Sequence, residues 1–114
     1  MRLIIAGSRT IEVTPKEIEA LLNHYNLKPT EIVSGTARGV DRSGEEFASL
    51  FNIPIKRFPA NWDLYGKSAG HKRNCEMGAY ADALLLIWDG YSRGSLSMKS
   101  YMDNNDKPVY EVIV

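Results

Sequence analysis

The sequence predicts a single Rossmann-like α/β domain: a doubly wound parallel sheet of about five strands in the order 3-2-1-4-5, with helices on both faces. Three observations predict it. Short apolar runs without polar alternation recur along the chain, as strands buried on both faces require. These runs end at a glycine, a proline or a turn, and amphipathic segments at helical spacing lie between them. The 114 residues, 44% hydrophobic, suffice for one core and are too few for two.

Leu3 to Ala6 is the first run, closed by Gly7. Thr14-Pro15-Lys16-Glu17 then supplies an N-cap, a proline at the first helical position and an acidic residue three after the cap. Ile18, Leu21, Leu22 and Tyr25 follow at helical spacing, so the first helix is expected from Pro15 to Tyr25. Glu31 to Ser34 is the second strand, ending at Gly35, and Val40, Phe47, Ala48 and Phe51 share one face of a second helix. Pro54 to Phe58 reads as the third strand, cut off by Pro59, which has no amide to continue a ladder. Ala60 to Gly66 is expected as a loop holding Asn61, Trp62, Asp63 and Tyr65, with Lys67 to Tyr80 as the third helix. Asp82 to Trp88 contains the longest apolar run and is expected as the central strand. Ser95 to Asn104 is the fourth helix, Asn105 to Pro108 a turn and Val109 to Val114 the last strand.

Five strands alternating with four helices imply right-handed βαβ units. In the order 3-2-1-4-5 the chain reverses direction across the sheet between strands one and four, which opens a crevice at their carboxyl ends. The loops after strands one, two and four meet there.

Lys plus Arg and Asp plus Glu each number 14, so no global field draws the chain to a nucleic acid or a membrane. Any anion site must be local. The lone cysteine, Cys75, rules out an internal disulfide, and the apolar run at the start is too short for a signal peptide or a membrane span. A cytoplasmic location is the expectation.

The three converging loops are Gly7-Ser8-Arg9, Gly35-Thr36-Ala37-Arg38-Gly39-Val40-Asp41 and Asp89-Gly90-Tyr91-Ser92-Arg93-Gly94-Ser95. Each pairs glycine with a hydroxyl and an arginine. Glycine admits close approach of a ligand to backbone amides, and the hydroxyl and guanidinium add hydrogen bonds and charge. In any one loop, glycine merely turning the chain would explain as much; three such loops at one crevice favour phosphate binding. The last loop is the strongest, because it runs into a helix whose amides and dipole favour an anion, with Ser92 and Ser95 as further donors. It has no P-loop lysine and no dinucleotide fingerprint, which disfavours ATP hydrolysis and nicotinamide chemistry.

The third helix opens with Lys67, His71, Lys72, Arg73 and Asn74, of which Arg73 and Asn74 are expected to face inward. Trp62 and Tyr65 either stack a base or plug the core. His71 is too isolated to indicate a metal, and no metal or cofactor is expected. Cys75 reads as a buried helix residue, since no Cys-His pair is evident in the sequence.

Read together with Phe58-Pro59-Ala60-Asn61-Trp62 and Ala69-Gly70-His71-Lys72-Arg73-Asn74-Cys75-Glu76-Met77, these loops resemble the YspA-like branch of the SLOG superfamily. That superfamily includes the LOG cytokinin-activating phosphoribohydrolases and the DNA-processing protein A fold. The resemblance spans nearly the whole chain and implies a Rossmann-like domain that binds, and in some members cleaves, nucleotides or nucleotide-derived signals such as ADP-ribose derivatives. LOG enzymes carry a proline-glycine-glycine loop ending in Gly-Thr, with a hydrolytic glutamate three residues on. Here the loop starts Asp89-Gly90-Tyr91 and ends Gly94-Ser95, and Met98 stands at the glutamate position, where it supplies no carboxylate.

The expected function is therefore recognition of a nucleotide-derived small molecule, as a sensor or sequestering module. An N-glycosidase or phosphoribohydrolase is the alternative, with Asp41, Glu76 or Asp89 as the carboxylate. A DNA-binding module is a further alternative, weakened by the zero net charge. A homo-oligomer is expected, because small α/β domains of this kind often complete a site across a two-fold interface.

Overall fold

In the computed structural model, which describes residues 1–114, β1 (Arg2–Gly7) lies between two other strands and has both faces covered. Leu3, Ile4 and Ile5 are wholly inaccessible, which accounts for the lack of polar alternation. α1 (Pro15–His24) starts with the expected capping box: Glu17 N donates to Thr14 Oγ1 at 3.1 Å, and Thr14 N donates to Glu17 Oε1 at 3.2 Å. Tyr25, expected inside this helix, is its C-cap. β2 (Glu31–Ser34), α2 (Val40–Leu50) and β3 (Ile55–Arg57) follow.

The expected loop from Ala60 to Gly66 is instead mostly helical. Asn61 Oδ1 accepts from Leu64 N at 3.1 Å and caps the short α3 (Trp62–Tyr65), and a 3-10 turn (Gly66–Ser68) joins it to α4 (Ala69–Tyr80). Local capping chemistry, weak in any periodicity over so few residues, decides this segment. β4 (Ala83–Trp88), α5 (Arg93–Asn104) and β5 (Val109–Ile113) complete the chain. α5 starts at Arg93, ahead of the expected Ser95.

The sheet is parallel throughout, in the order β3-β2-β1-β4-β5. The predicted order is thus the observed one, with a single adjustment. β4, buried along its whole length, sits between β1 and β5, and the middle place belongs to β1. A long apolar run reports cover on both faces rather than the central position.

Alternation along the strands divides the core in two. Leu3, Ile5, Ile32, Leu85 and Ile87 cluster with Ile18, Leu22 and Phe47 of α1 and α2. Ile4, Ala6, Val33, Leu84 and Leu86 cluster with Met77, Met98 and Met102 of α4 and α5. No helix is long and apolar enough to cross a membrane.

α2 approaches β1 closely at Gly44, where a Cβ would lie 2.9 Å from Ile5 Cβ, an atom anchored to the strand. Alanine favours a helix over glycine by about 1 kcal/mol, while overpacking of this kind costs about 1–3 kcal/mol. Gly44→Ala is therefore expected to lower stability by about 1 kcal/mol despite better helix propensity, read as a lower urea midpoint at unchanged slope.

Candidate functional site

The order of the strands places the carboxyl ends of β1 and β4 side by side with their connections diverging, and the loops there are wired through Ser8. Its side chain is buried, with the residue 1% exposed. Asp89 N donates to Ser8 Oγ at 3.1 Å, Ser92 Oγ donates to Asp89 Oδ1 at 3.0 Å, and the Ser8 and Ser92 hydroxyls are 2.9 Å apart. Ser92 has one hydroxyl proton and gives it to Asp89, so Ser8 is the donor in the pair. Val40 N donates to Ser8 O at 3.3 Å, which ties in the loop after β2. Gly39 completes that contact: at φ 74°, it lies where a Cβ would be 2.3 Å from Ser8 O.

These loops enclose a cavity of about 330 Å³ whose walls include Arg9, Asp41, Arg73, Asn74, Gly94 and Ser95. On one side it meets the start of α5. Leu96 N donates to Ser92 O at 3.0 Å, so the amides of residues 93–95 precede the first intrahelical bond. On the other side α4 sends in Arg73 and Asn74. Asn74 Nδ2 donates to Gly94 O at 3.1 Å, Arg73 Nε donates to Asn74 Oδ1 at 3.0 Å, and Arg73 Nη1 donates to Gly35 O. Two adjacent residues of one helix thereby join the loop after β2 to the start of α5.

The chain is 33% identical over 102 residues to the Gene 61 protein of Mycobacterium phage D29, an alignment that covers 82% of each. The chain belongs to the family of that protein. No family model and no solved structure matches it.

Asp41, in the first turn of α2, is 5% exposed. Burial pushes its carboxyl up to about 6, against the lowering effects of the Ala37 amide, which donates to Oδ2 at 3.3 Å, and of the Arg73 charge. Burial likewise lowers Arg73, the Asp41 charge raises it and the like charge of Arg9 lowers it further. Arg2 and Arg57 are paired with Glu31 and Glu45, whereas Arg9, Arg38, Arg42, Arg73 and Arg93 form no salt bridge, and all of these but Arg42 line the cavity or the hollow beside it. The neutral chain concentrates unpaired guanidinium groups around this crevice.

The remaining predicted residues divide by position. Gly7 and Asp89 also line the cavity, as does Met98. Gly35, Thr36, Arg38 and Trp62 line an adjoining hollow of about 290 Å³, which shares Arg9 and Arg73 with the first. Ser8, Gly39 and Gly90 line neither. Ser92 lines the cavity, but its hydroxyl proton is committed to Asp89, which corrects the expectation of a free donor there. The amides of Tyr91 and Ser92, at 2.8 and 3.0 Å from Asp89 Oδ1, hold the Asp89 carboxyl below its ordinary range, so Asp89 is an ionised clamp on its own loop. Glu76 is on the exposed side of α4, 4.0 Å from Lys72, and lines neither hollow.

His71 and Cys75 require a further correction. Spaced i, i+4 on α4, they bring His71 Nε2 to 3.6 Å from Cys75 Sγ, while His71 Nδ1 lies 3.0 Å from Ser97 Oγ on α5. Cys75 is half-buried rather than buried. The spacing was the available signal for this pair; the serine on another helix had none.

The folded-state value of Asp41 lies above its ordinary 3.8, so the folded chain holds a proton that the unfolded chain has lost between about pH 4 and about pH 6. Stability from this group is present below that window and falls as pH rises through it, by about 3 kcal/mol in total. Asp41→Asn is expected to flatten this decline and to be more stable than wild type by about 1–3 kcal/mol at pH 7. Urea titrations of both proteins across pH 4–7 measure the difference.

Thr36, β-branched yet at φ 63°, carries backbone strain. Glycine relieves a penalty of about 1–2 kcal/mol at the expense of about 0.5–1 kcal/mol of chain entropy. Thr36→Gly should therefore raise the melting temperature slightly.

Proposed function

We propose that this chain binds the phosphate of a nucleotide-derived small molecule at the start of α5 and serves to sense or sequester it. The observation that carries the reading is Gly94. A Cβ there would meet no atom within 4 Å, and its φ is not positive, so neither the packing nor the backbone of the protein calls for glycine. Glycine in a helix costs about 1 kcal/mol relative to alanine. Its use at the cavity wall, between the amides that begin α5 and beside Ser95, leaves room for a ligand to reach the backbone. Ser95 is buried and has no side-chain hydrogen-bond partner in the chain, so its hydroxyl is available as a donor. Arg9 and Arg73 supply the charge. The resemblance to the SLOG superfamily supports the same reading.

One observation favours cleavage as a second reading. Asp41 faces the cavity with a carboxyl near neutrality, the range useful to a general acid or base of an N-glycosidase or phosphoribohydrolase. Against it stands Met98, buried in the wall where the LOG enzymes carry their glutamate.

Calorimetric titration with AMP, ADP-ribose and inorganic phosphate tests binding, and chromatography of the same mixtures tests for released base or ribose phosphate. Binding without product is the expected result. Gly94→Ala is expected to weaken AMP binding about tenfold while stabilising the free protein by about 1 kcal/mol. Absence of binding by any of the three at millimolar concentration would overturn the proposal.

A further inference from the structure

The hollow beside the phosphate site has a chemistry of its own. Arg9, Arg38 and Arg73 all line it, and none forms a salt bridge; the one carboxylate acting on them, Asp41, is buried behind Arg73. Holding like charges together is unfavourable unless something anionic joins them. Its far wall is Trp62, 50% exposed, which rests on α4 where Gly70 leaves room: a Cβ there would lie 3.3 Å from indole Cη2. The other tryptophan, Trp88, is 4% exposed and donates Nε1 to Glu111 at 2.7 Å. One indole is thus part of the core, while the other is presented to solvent beside three guanidinium groups.

An exposed indole with adjacent arginines suits a planar base attached to a phosphate, stacking on one and pairing with the others. The two hollows adjoin, and Arg9 and Arg73 belong to the walls of both. We infer that this hollow is a second subsite for the same ligand, which is a nucleotide with two or more linked phosphates: one phosphate at the start of α5, the next between Arg9, Arg73 and Arg38, and the base on Trp62. This rests on the phosphate reading given above.

Binding of ADP, AMP and inorganic pyrophosphate to the wild type, Trp62→Leu and Arg38→Ala proteins tests the inference, by calorimetry and by tryptophan fluorescence. Both substituted residues are exposed, and a thermal melt checks that each variant is folded. ADP is expected to bind about tenfold more tightly than AMP and to quench the fluorescence of Trp62. Trp62→Leu should lose about tenfold for ADP and keep its affinity for pyrophosphate; Arg38→Ala should weaken both. Equal affinity for AMP and ADP, with ADP binding unaffected by Trp62→Leu, would overturn the second subsite and leave the phosphate site standing. If neither nucleotide nor pyrophosphate binds, both the subsite and the phosphate reading fall.

Discussion

The contact between the ends of β1 and β4 governs everything built above it. Gly7 pairs with Ile87 so closely that a Cβ on Gly7 would lie 1.7 Å from Ile87 O, and the next amide, Ser8 N, donates to that same oxygen at 3.2 Å. This places Ser8 under the loop that follows β4, where its hydroxyl takes the Asp89 amide and meets Ser92. The start of α5 is set by that loop. Any looser approach of the two strands would separate Ser8 from Asp89 and leave the amides of residues 93–95 without a fixed direction. A parallel pair thus does more than bury apolar residues: its register fixes the geometry of the crevice.

Electrostatics sharpen the same location. With acidic and basic residues equal in number, long-range attraction of an anion is absent, and the field at the crevice comes from placement alone. Arg73 is held by Gly35 O and Asn74, which fixes its guanidinium without neutralising it. Asp41 lies close enough to raise Arg73 and to be lowered by it, yet burial prevails and keeps its carboxyl high. The cavity therefore becomes more positive as Asp41 takes up a proton.

Fold class, strand order and the capped start of α1 were legible because each rests on a local rule with few exceptions: unbroken apolar runs, capping chemistry and right-handed crossovers. The helical turn at Trp62–Tyr65 was not, since four residues show no period and a single Asn61 cap decides them. In the candidate site, the convergence of the glycine loops and the inward direction of Arg73 and Asn74 followed from topology. What topology leaves open is which polar atoms are already satisfied. Ser92 and Asp89 resemble ligand contacts in sequence but hydrogen-bond to one another, and Glu76 faces away because its neighbours on α4, Arg73 and Met77, occupy the inward side. The His71–Cys75 contact, too, depends on rotamers that spacing permits without requiring.

That division of labour constrains how a ligand can be recognised. Ser8, Ser92 and Asp89 form a closed circuit in which each hydroxyl proton is used, so turning Ser92 towards a phosphate would give up its hydrogen bond to Asp89. The groups left over are of a different kind: backbone amides at the start of α5, the Ser95 hydroxyl, and guanidinium groups from three separate elements of the chain. Amides and guanidinium groups are donors only, and all of them point to an acceptor with several oxygens rather than to a mixed partner. Under the proposed reading, donors that hold a phosphate are insensitive to which sugar or base is attached, so discrimination among phosphate-bearing ligands would come from the walls further out, where Trp62 adds aromatic surface.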